Sequence, residues 1–149
     1  MIVTAYDSCM SEGTAHGEAL GYLVKHALQR LSMLADAALE PLGIDRKEFG
    51  VLRILAFSGP LSQQGVAAHA EIDPTTMVAL IDSLESKGIL TRKPDAADRR
   101  RNSIELTAAG STRWTEAERA YADAEAEFLA PLSADEADRL RRALRKLLG

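Results

Sequence analysis

The spacing of apolar residues predicts that the first half of the chain is helical. From Glu18 onwards, leucine, valine and alanine recur at steps of three and four between Leu20 and Leu39, which is the period of one helix face. The motif PLGID ends this helix. Asp45 then stands three residues before Glu48, which is the spacing of a capping box, and we expect a second helix to begin there.

Two shorter helices follow, separated by a tight turn. The motif SGP ends the second helix, and Ser62 can cap a third helix with the sequence QQGVAAHA. Asp73 is a suitable N-cap and Pro74 a suitable first residue for a fourth helix, PTTMVALIDSLESK, which Gly88 ends. Four apolar residues share the inner face of this fourth helix: Met77, Leu80, Ile81 and Leu84.

After the fourth helix the apolar pattern changes from a helical period to alternation. The segments ILTRK (89–93) and NSIELT (102–107) predict two short strands, because Ile104 and Leu106 alternate with Glu105. The segment between them, PDAADRRR, is rich in turn-forming and charged residues. The sequence therefore predicts a β-hairpin with a long, charged tip.

The C-terminal third of the chain predicts two more helices. Thr107 begins a fifth helix, and Ser133 with Glu136 has the capping-box spacing from which a last helix begins. The fifth helix carries a heptad-like seam, formed by Trp114, Ala117, Tyr121, Ala124 and Phe128. One side of the last helix carries leucines, namely Leu140, Leu144, Leu147 and Leu148. We interpret the aromatic seam as part of a dimer core rather than as a ligand site, and we expect Leu144 in the same interface.

The composition is that of one globular domain, with or without a dimerisation extension. The chain has 149 residues, of which 46% are apolar and 27% are charged. It contains no apolar run of the roughly 18–20 residues that a membrane span needs, and its N-terminus lacks the features of a signal peptide. A single cysteine cannot form an internal disulfide, which fits a reducing compartment, so we expect a cytoplasmic protein.

Positive charge is concentrated in one short window of an otherwise acidic chain. The net charge is −4, yet residues 87–101 contain six cations and two anions, so that window sums to +4 and the rest of the chain to −8. The cations are Lys87, Arg92, Lys93, Arg99, Arg100 and Arg101, and the anions are Asp95 and Asp98. When a helix enters the major groove of DNA, arginines at the tip of a hairpin beside that helix can reach the adjacent minor groove.

The order helix, turn, helix, hairpin is that of a winged helix–turn–helix, a mainly α fold with a small β-hairpin wing. The stretch LSQQGVAAHAEIDPTTMVALIDSLESKGILTRKPDAADRRRNSIELTAAG resembles the MarR family of bacterial transcription regulators, and the resemblance covers roughly residues 18–148. It implies a homodimer that binds double-stranded DNA, usually as a repressor, and that releases DNA when a small, often aromatic, ligand or an oxidant arrives.

The residue pattern and the resemblance together divide the chain into segments. We expect a flexible N-terminal tail over residues 1–16 and a dimerisation helix over 17–43. The DNA-binding winged helix–turn–helix would occupy residues 44–107, and further dimerisation helices would occupy 108–149. Control of DNA binding would then come from changing the distance between the two recognition helices of the dimer.

In the wing, the resemblance indicates which residues contact DNA. The family's Asp-x-Arg signature falls on Asp98 and Arg100, and it implies that Asp98 shapes the loop while Arg100 enters the minor groove. Arg99, Arg101 and Lys93 would add positive charge that binds phosphates.

On the helices, a second group of residues is placed to contact DNA. Thr75 and Thr76 lie in the first turn of the recognition helix, where their hydroxyl and methyl groups can reach base edges or phosphates. Ala79 stands where many relatives carry arginine. Because alanine can make only an apolar contact, we expect fewer sequence-specific contacts with the bases. Ser62 and Gln63, at the start of the third helix, are expected phosphate contacts.

Three further interpretations stay open at the level of sequence. An effector pocket between the dimerisation and DNA-binding parts could be lined by His26, Arg30, Phe49 and Arg53. Cys9 could make the regulator redox-responsive, although it lies upstream of the position at which some relatives sense peroxides. A winged helix can also be a protein-interaction module that binds no specific DNA.

Enzymatic and metal-dependent functions find no support in the motifs. The histidines His16, His26 and His69 are far apart and accompany no Cys/His cluster of zinc-ligand spacing. The sequence contains no nucleophile with a neighbouring base and no phosphate-binding glycine loop. We therefore expect no catalytic residues, no cofactor and no metal.

Overall fold

The computed structural model describes residues 19–95 and 102–149. Six α-helices lie in these ranges: α1 (Leu20–Leu39), α2 (Arg46–Ser58), α3 (Gln63–Ala70), α4 (Pro74–Ser86), α5 (Ala108–Leu129) and α6 (Ala134–Leu148). A 3₁₀ turn, Glu40–Leu42, follows α1, and three short strands are present: β1 (Leu61–Ser62), β2 (Leu90–Pro94) and β3 (Asn102–Leu106). The predicted tail over 1–16 and the tip of the predicted hairpin, 96–101, lie outside the described residues.

Side-chain caps define where the helices begin, as the sequence predicts. Asp45 accepts a hydrogen bond from the Glu48 amide at 2.8 Å, and the Glu48 carboxylate accepts one from the Asp45 amide at 3.0 Å. Ser133 and Glu136 form the same reciprocal capping box. Each cap satisfies an amide that a helix end leaves unpaired and stabilises the fold by roughly 0.5–2 kcal/mol. The predicted caps Ser62, Asp73 and Thr107 are confirmed as well.

The predicted hairpin is present, and it belongs to a three-stranded antiparallel sheet with the strand order β1-β3-β2. Leu61 of β1 lies opposite Ile104 of β3, and Arg92 of β2 lies opposite the same residue on the other side. The sequence analysis did not predict β1, because two residues are too few to show an alternating pattern. The strand matters for the site, since it joins the start of α3 directly to the wing.

The core lies where α2, α3 and α4 meet the sheet. All four apolar residues predicted on the inner face of α4 are buried, which confirms that interpretation. The largest fully buried side chains are Leu39, Val51, Leu52, Val66, Met77, Ile81, Leu84, Leu90 and Ile104. Burying one such side chain stabilises the fold by about 1.5–3 kcal/mol. This cluster therefore holds α4 and the base of the wing in one hydrophobic core.

Two of the three aromatic residues that we assigned to a dimer core, Trp114 and Tyr121, pack against the core of their own protomer. The Phe49 ring of α2 stacks on Trp114 at 5.5 Å and on Tyr121 at 4.7 Å between ring centroids. Both rings pack against the buried cluster of the same chain, and Ala117 between them is fully buried. A three-and-four period shows that one helix face is covered, but it does not show which chain covers it.

The start of α5 is fastened to the base of the wing by unusually close packing. A Cβ atom placed on Gly110 would lie 2.0 Å from the backbone oxygen of Ile89, so only glycine fits at this position. The Thr107 hydroxyl donates a hydrogen bond to the Gly88 carbonyl at 2.6 Å and accepts one from the Gly110 amide at 2.9 Å. The motif LTAAG therefore holds the start of α5 against Gly88 and Ile89, the two residues directly before β2.

Two helices expose apolar faces that the protomer itself leaves uncovered. On α1 the exposed residues are Leu20, Leu23, Val24 and Leu28, and on α6 they are Leu140, Leu144, Leu147 and Leu148. Exposed apolar patches of this kind usually mark an interface with another molecule. Within residues 19–95 and 102–149, no helix has the length and apolar character needed to cross a membrane.

Candidate nucleic-acid interface

Helices α3 and α4 form the helix–turn–helix unit. Glu71 ends α3 in a left-handed conformation with φ of 52°, and the Ile72 amide donates to the Ala67 carbonyl at 3.2 Å, which closes the turn. The inner face of α4 is held in the core, so its opposite face is exposed, with Thr75, Val78, Ala79 and Asp82 on it. This is the face that α4 can present to a major groove.

The two threonines predicted to contact DNA differ in the hydrogen bonds that they form within the protein. The Thr76 hydroxyl donates to the Asp73 carboxylate at 2.6 Å, and its amide donates to the same carboxylate at 2.9 Å. These hydrogen bonds lower the pKa of Asp73. Thr75 is fully on the exposed face, so its side chain is the more available of the two for a base or a phosphate.

Ser62 and Gln63 lie at the junction between α3 and the wing. The Ser62 hydroxyl caps α3 by accepting from the Gly65 amide at 3.1 Å. Together with Arg92 and Asn102 of the wing strands, Ser62 and Gln63 line an open cleft of about 330 Å³. The two predicted phosphate contacts are thus brought next to the wing, as a joint backbone-binding surface requires.

Arg92 and Lys93 both form ion pairs with carboxylates of the same chain. Arg92 of β2 forms ion pairs with Asp82 and Glu85 of α4, and Lys93 forms one with Glu105 on the neighbouring strand. Hydrogen bonding to Asp82, with the charges of both carboxylates, raises the pKa of Arg92 above its ordinary value. Arg92 therefore ties the wing to the recognition helix, and Lys93 is a weaker candidate for phosphate binding than its sequence position suggests.

Residues 87–101, the segment in which positive charge is concentrated, are called the basic window. Its first cation, Lys87, is held away from the exposed face of α4. Its ammonium group donates to both carboxylate oxygens of Glu48, at 2.6 and 2.8 Å, and to the Gly43 carbonyl at 2.9 Å. Glu48 is only 3% exposed. Burial alone would raise the pKa of Glu48, but the hydrogen bonds from Lys87, Ser83 and the Asp45 amide outweigh it and lower that pKa.

The ion pairs change the charge balance of the basic window. Its three described cations contact four carboxylates, which leaves no net positive charge on them as a group. Sequence reasoning missed this because Glu48 and Glu105 lie 39 and 12 positions from their partners. The acids Asp82 and Glu85, one turn apart on the predicted helix, were the one signal that could have indicated a partner for Arg92.

Several predicted residues fall outside the described part of the chain. Asp98, Arg99, Arg100 and Arg101 of the wing tip are among them, as is Cys9 of the N-terminal segment. Their predicted roles in DNA binding and redox response stay predictions.

The four residues predicted to line an effector pocket do not share one environment. Phe49 is buried between two aromatic rings, so it is part of the core and not a pocket wall. Arg30 and Arg53 are exposed, and the His26 ring lies against Tyr22 at 4.0 Å between centroids. A cleft of about 390 Å³ opens instead where the end of α2 meets β3 and α5, with Leu55, Pro60, Glu105, Leu106, Ser111 and Trp114 among its lining residues.

In the ranges 19–95 and 102–149, no three acidic, histidine or cysteine side chains are grouped so as to hold a metal ion. The His69 ring is engaged locally, with Nδ1 at 2.8 Å from the Gly65 carbonyl.

The geometry defines a class of protein. A helix–turn–helix unit with one exposed recognition-helix face, followed by a two-stranded wing that β1 extends to a three-stranded antiparallel sheet, is a winged helix–turn–helix of the DNA-binding type. The flanking helices α1, α5 and α6 set this chain apart from a bare winged helix.

The chain belongs to the MarR family. The sequence profile of that family matches residues 42–101. The chain is 35% identical over 135 residues to the HTH-type transcriptional repressor Rv2887 of Mycobacterium tuberculosis, covering 91% of this chain and 97% of that protein. It is 27% identical to a putative transcriptional regulatory protein for the hcr operon of Thauera aromatica, covering 91% of this chain and 81% of that protein.

Solved structures agree with this assignment. The apo form of MarR from Escherichia coli superposes with a TM-score of 0.77 at 26% identity, covering 87% of this chain and 97% of that one. The Rv2887 complex with DNA gives a TM-score of 0.76 at 34% identity, covering 86% and 96%. The complex of the same protein with p-aminosalicylic acid gives 0.73 at 34% identity, covering 87% and 98%. The predicted mainly α winged-helix fold is confirmed.

Proposed function

We propose that this protein is a DNA-binding transcription regulator that acts as a homodimeric repressor on a pseudo-palindromic operator in the cytoplasm, without enzymatic activity. The observation that carries the proposal is the exposed face of α4, beside the wing, in a chain that aligns over almost its whole length with a repressor solved on DNA. Two such helices in a dimer would enter successive major grooves roughly 34–36 Å apart.

Dimerisation is supported by the apolar faces of α1 and α6. Leu147 and Leu148 are 77% and 87% exposed in the protomer, and Leu20 is 72% exposed. A second copy would cover these faces, because leucine stripes on two helices are self-complementary across a two-fold axis. On this view residues 17–43 and 108–149 build the dimer, while residues 44–107 bind DNA.

The charge that binds DNA phosphates would come chiefly from the wing tip. Because the three described cations of the basic window contact carboxylates, we assign the neutralisation of phosphates to Arg99, Arg100 and Arg101. Asp98 would shape the loop that presents them. Thr75, Thr76 and Ala79 would read the major groove, and Ser62 and Gln63 would fix the register on the backbone.

A small aromatic acid is the effector class that we favour. The relative Rv2887 has been solved with p-aminosalicylic acid, and a cleft rimmed by Trp114 lies between the DNA-binding and dimerisation parts of this chain. A ligand there would act by favouring a dimer whose recognition helices have the wrong spacing for DNA. A redox response through Cys9 is the alternative input, and a protein-interaction module is the alternative class.

Binding to DNA upstream of the protein's own gene tests the proposal, with fluorescence anisotropy as the measurement and a scrambled duplex as control. Specific regulators of this size prefer their sites by roughly 10³-fold or more. Equal affinity for both duplexes would reject autoregulation, and the absence of binding at low salt would favour the interaction module.

A further inference from the structure

Glu48 is the one buried charged residue in the part of the chain that the structure describes. Its side chain lies at the N-terminal end of α2 and is 3% exposed, although the rest of the core is apolar. A charged group is costly to bury unless it is paired and fully hydrogen-bonded, so its presence requires an explanation beyond core packing.

The Glu48 carboxylate receives hydrogen bonds from two separate segments. Lys87 donates to both oxygens, and the Ser83 hydroxyl donates to Oε1 at 2.7 Å. The Asp45 amide donates to Oε2 at 3.0 Å. Lys87 also reaches back to the Gly43 carbonyl. Two side chains at the C-terminal end of the recognition helix are thereby tied to the turn that precedes α2.

These polar contacts constrain α4 in a way that its apolar contacts do not. Met77, Ile81 and Leu84 hold the helix by burial, which is non-directional and tolerates small rotations about the helix axis. Hydrogen bonds to one carboxylate are directional, and charge-assisted ones are short and strong. Because a helix is stiff, fixing its last turn fixes its exposed face about 12 Å away, at Ala79.

The other end of the contact lies next to the dimerisation part. Gly43 and Asp45 follow directly after α1 and the 3₁₀ turn, and α1 carries one of the two exposed leucine faces. The contacts of Glu48 with Lys87 and Ser83 therefore connect the recognition helix α4 to the residues that follow α1. Through them, the orientation of α4 can depend on the position of α1, which would form part of the dimer.

We propose that Glu48 is a positioning residue for DNA recognition, which acts through Lys87 and Ser83 to set the angle of α4 and hence the spacing of the two recognition helices. This inference rests on the proposed function as a dimeric DNA-binding regulator. A purely structural role would lower stability but leave the preferred half-site spacing of the folded dimer unchanged.

The test uses the full-length dimer and a duplex that the wild-type protein selects from random DNA. Affinities are measured by fluorescence anisotropy for this duplex and for versions with one base pair inserted or deleted between the half-sites. The variant Lys87→Met removes the ammonium group, and Ser83→Ala is a milder second variant that keeps the ion pair if the first does not fold. Arg46→Met is the matched control, since Arg46 pairs with Asp36 of α1 at 2.6 Å and does not contact α4.

We expect Lys87→Met to reduce the preference for the selected spacing roughly 5-fold or more, with an unchanged dimer mass and helix content, and Ser83→Ala to reduce it less. Arg46→Met should keep the wild-type preference. Equal losses of affinity on all three duplexes, or no loss, would overturn the positioning role while leaving the proposed function intact. Failure of the wild-type protein to select any duplex would overturn the proposed function, and the positioning role with it.

Discussion

Replacing Gly110 with alanine should destabilise the protein through one identifiable clash. The added methyl group would lie 2.0 Å from the Ile89 carbonyl oxygen and 3.0 Å from its carbon. A carbon–oxygen contact needs roughly 3.3 Å, so the base of the wing and the first turn of α5 must separate by about 1 Å. That movement also strains the hydrogen bond from the hydroxyl of Thr107, the N-cap of α5, to the Gly88 carbonyl.

The expected cost combines overpacking, about 1–3 kcal/mol, with partial loss of one helix cap, about 1 kcal/mol. We therefore expect the free energy of unfolding to fall by about 2–4 kcal/mol. For a chain of this length that corresponds to a fall in Tm of about 4–16 °C. Thermal denaturation followed by circular dichroism measures it, at one fixed protein concentration because a dimer's Tm depends on concentration.

Gly50→Ala is the matched control, because the same methyl group on Gly50 of α2 would meet no atom within 4 Å. Alanine is the better helix former, so this variant should be more stable than wild type by about 0.5–1 kcal/mol. If Gly110→Ala is as stable as wild type while Gly50→Ala shows its expected gain, the close packing between α5 and the wing is refuted.

Three other predictions concern charge, assembly and acid stability. Arg100→Ala should make the slope of log affinity against log salt shallower by about 2, since a dimer loses two phosphate-neutralising charges, whereas Lys93→Ala should change it by less than about 1 because Lys93 pairs with Glu105. Equal changes would contradict the pairing. Leu144→Asp should yield monomers by light scattering, because it places a charge on the exposed leucine face of α6; a stable dimer would exclude that face as the interface. The pKa of Glu48 is lowered in the folded state, so its contribution to stability is fully present above its ordinary pKa of 4.5 and is lost as the pH falls through the lower folded value. Urea unfolding below pH 4.5 should accordingly depend less steeply on pH in Glu48→Gln than in wild type, and identical slopes would disprove the assignment.

Local features of the fold could be predicted from the sequence because their causes are local. A capping box joins residues three apart, so the helix starts at Asp45 and Ser133 were visible in the residue types alone. The inner face of α4 follows from one helical period. The change to alternation around Ile104 predicted the wing strands to within a residue.

Features that depend on distant partners could not be predicted in the same way. The aromatic face at Trp114 and Tyr121 is periodic whether its own chain or a second chain covers it, and only the fold shows that Phe49 does. The basic window showed its cations but not their partners, since Lys87 meets Glu48 only after α2 and α4 pack together. Net charge along a sequence is therefore a poor measure of the charge that a surface presents.

The central claim, that this chain is a specific DNA-binding regulator whose wing tip supplies the phosphate-binding charge, is tested most directly by one titration. Fluorescence anisotropy with the DNA upstream of its own gene and with a scrambled duplex, across a salt series, gives both specificity and charge. We predict a preference of roughly 10³-fold or more and a log–log salt slope of about −5, from three wing arginines on each of two protomers. Equal affinity for the two duplexes, or no binding even at low salt, would contradict the claim.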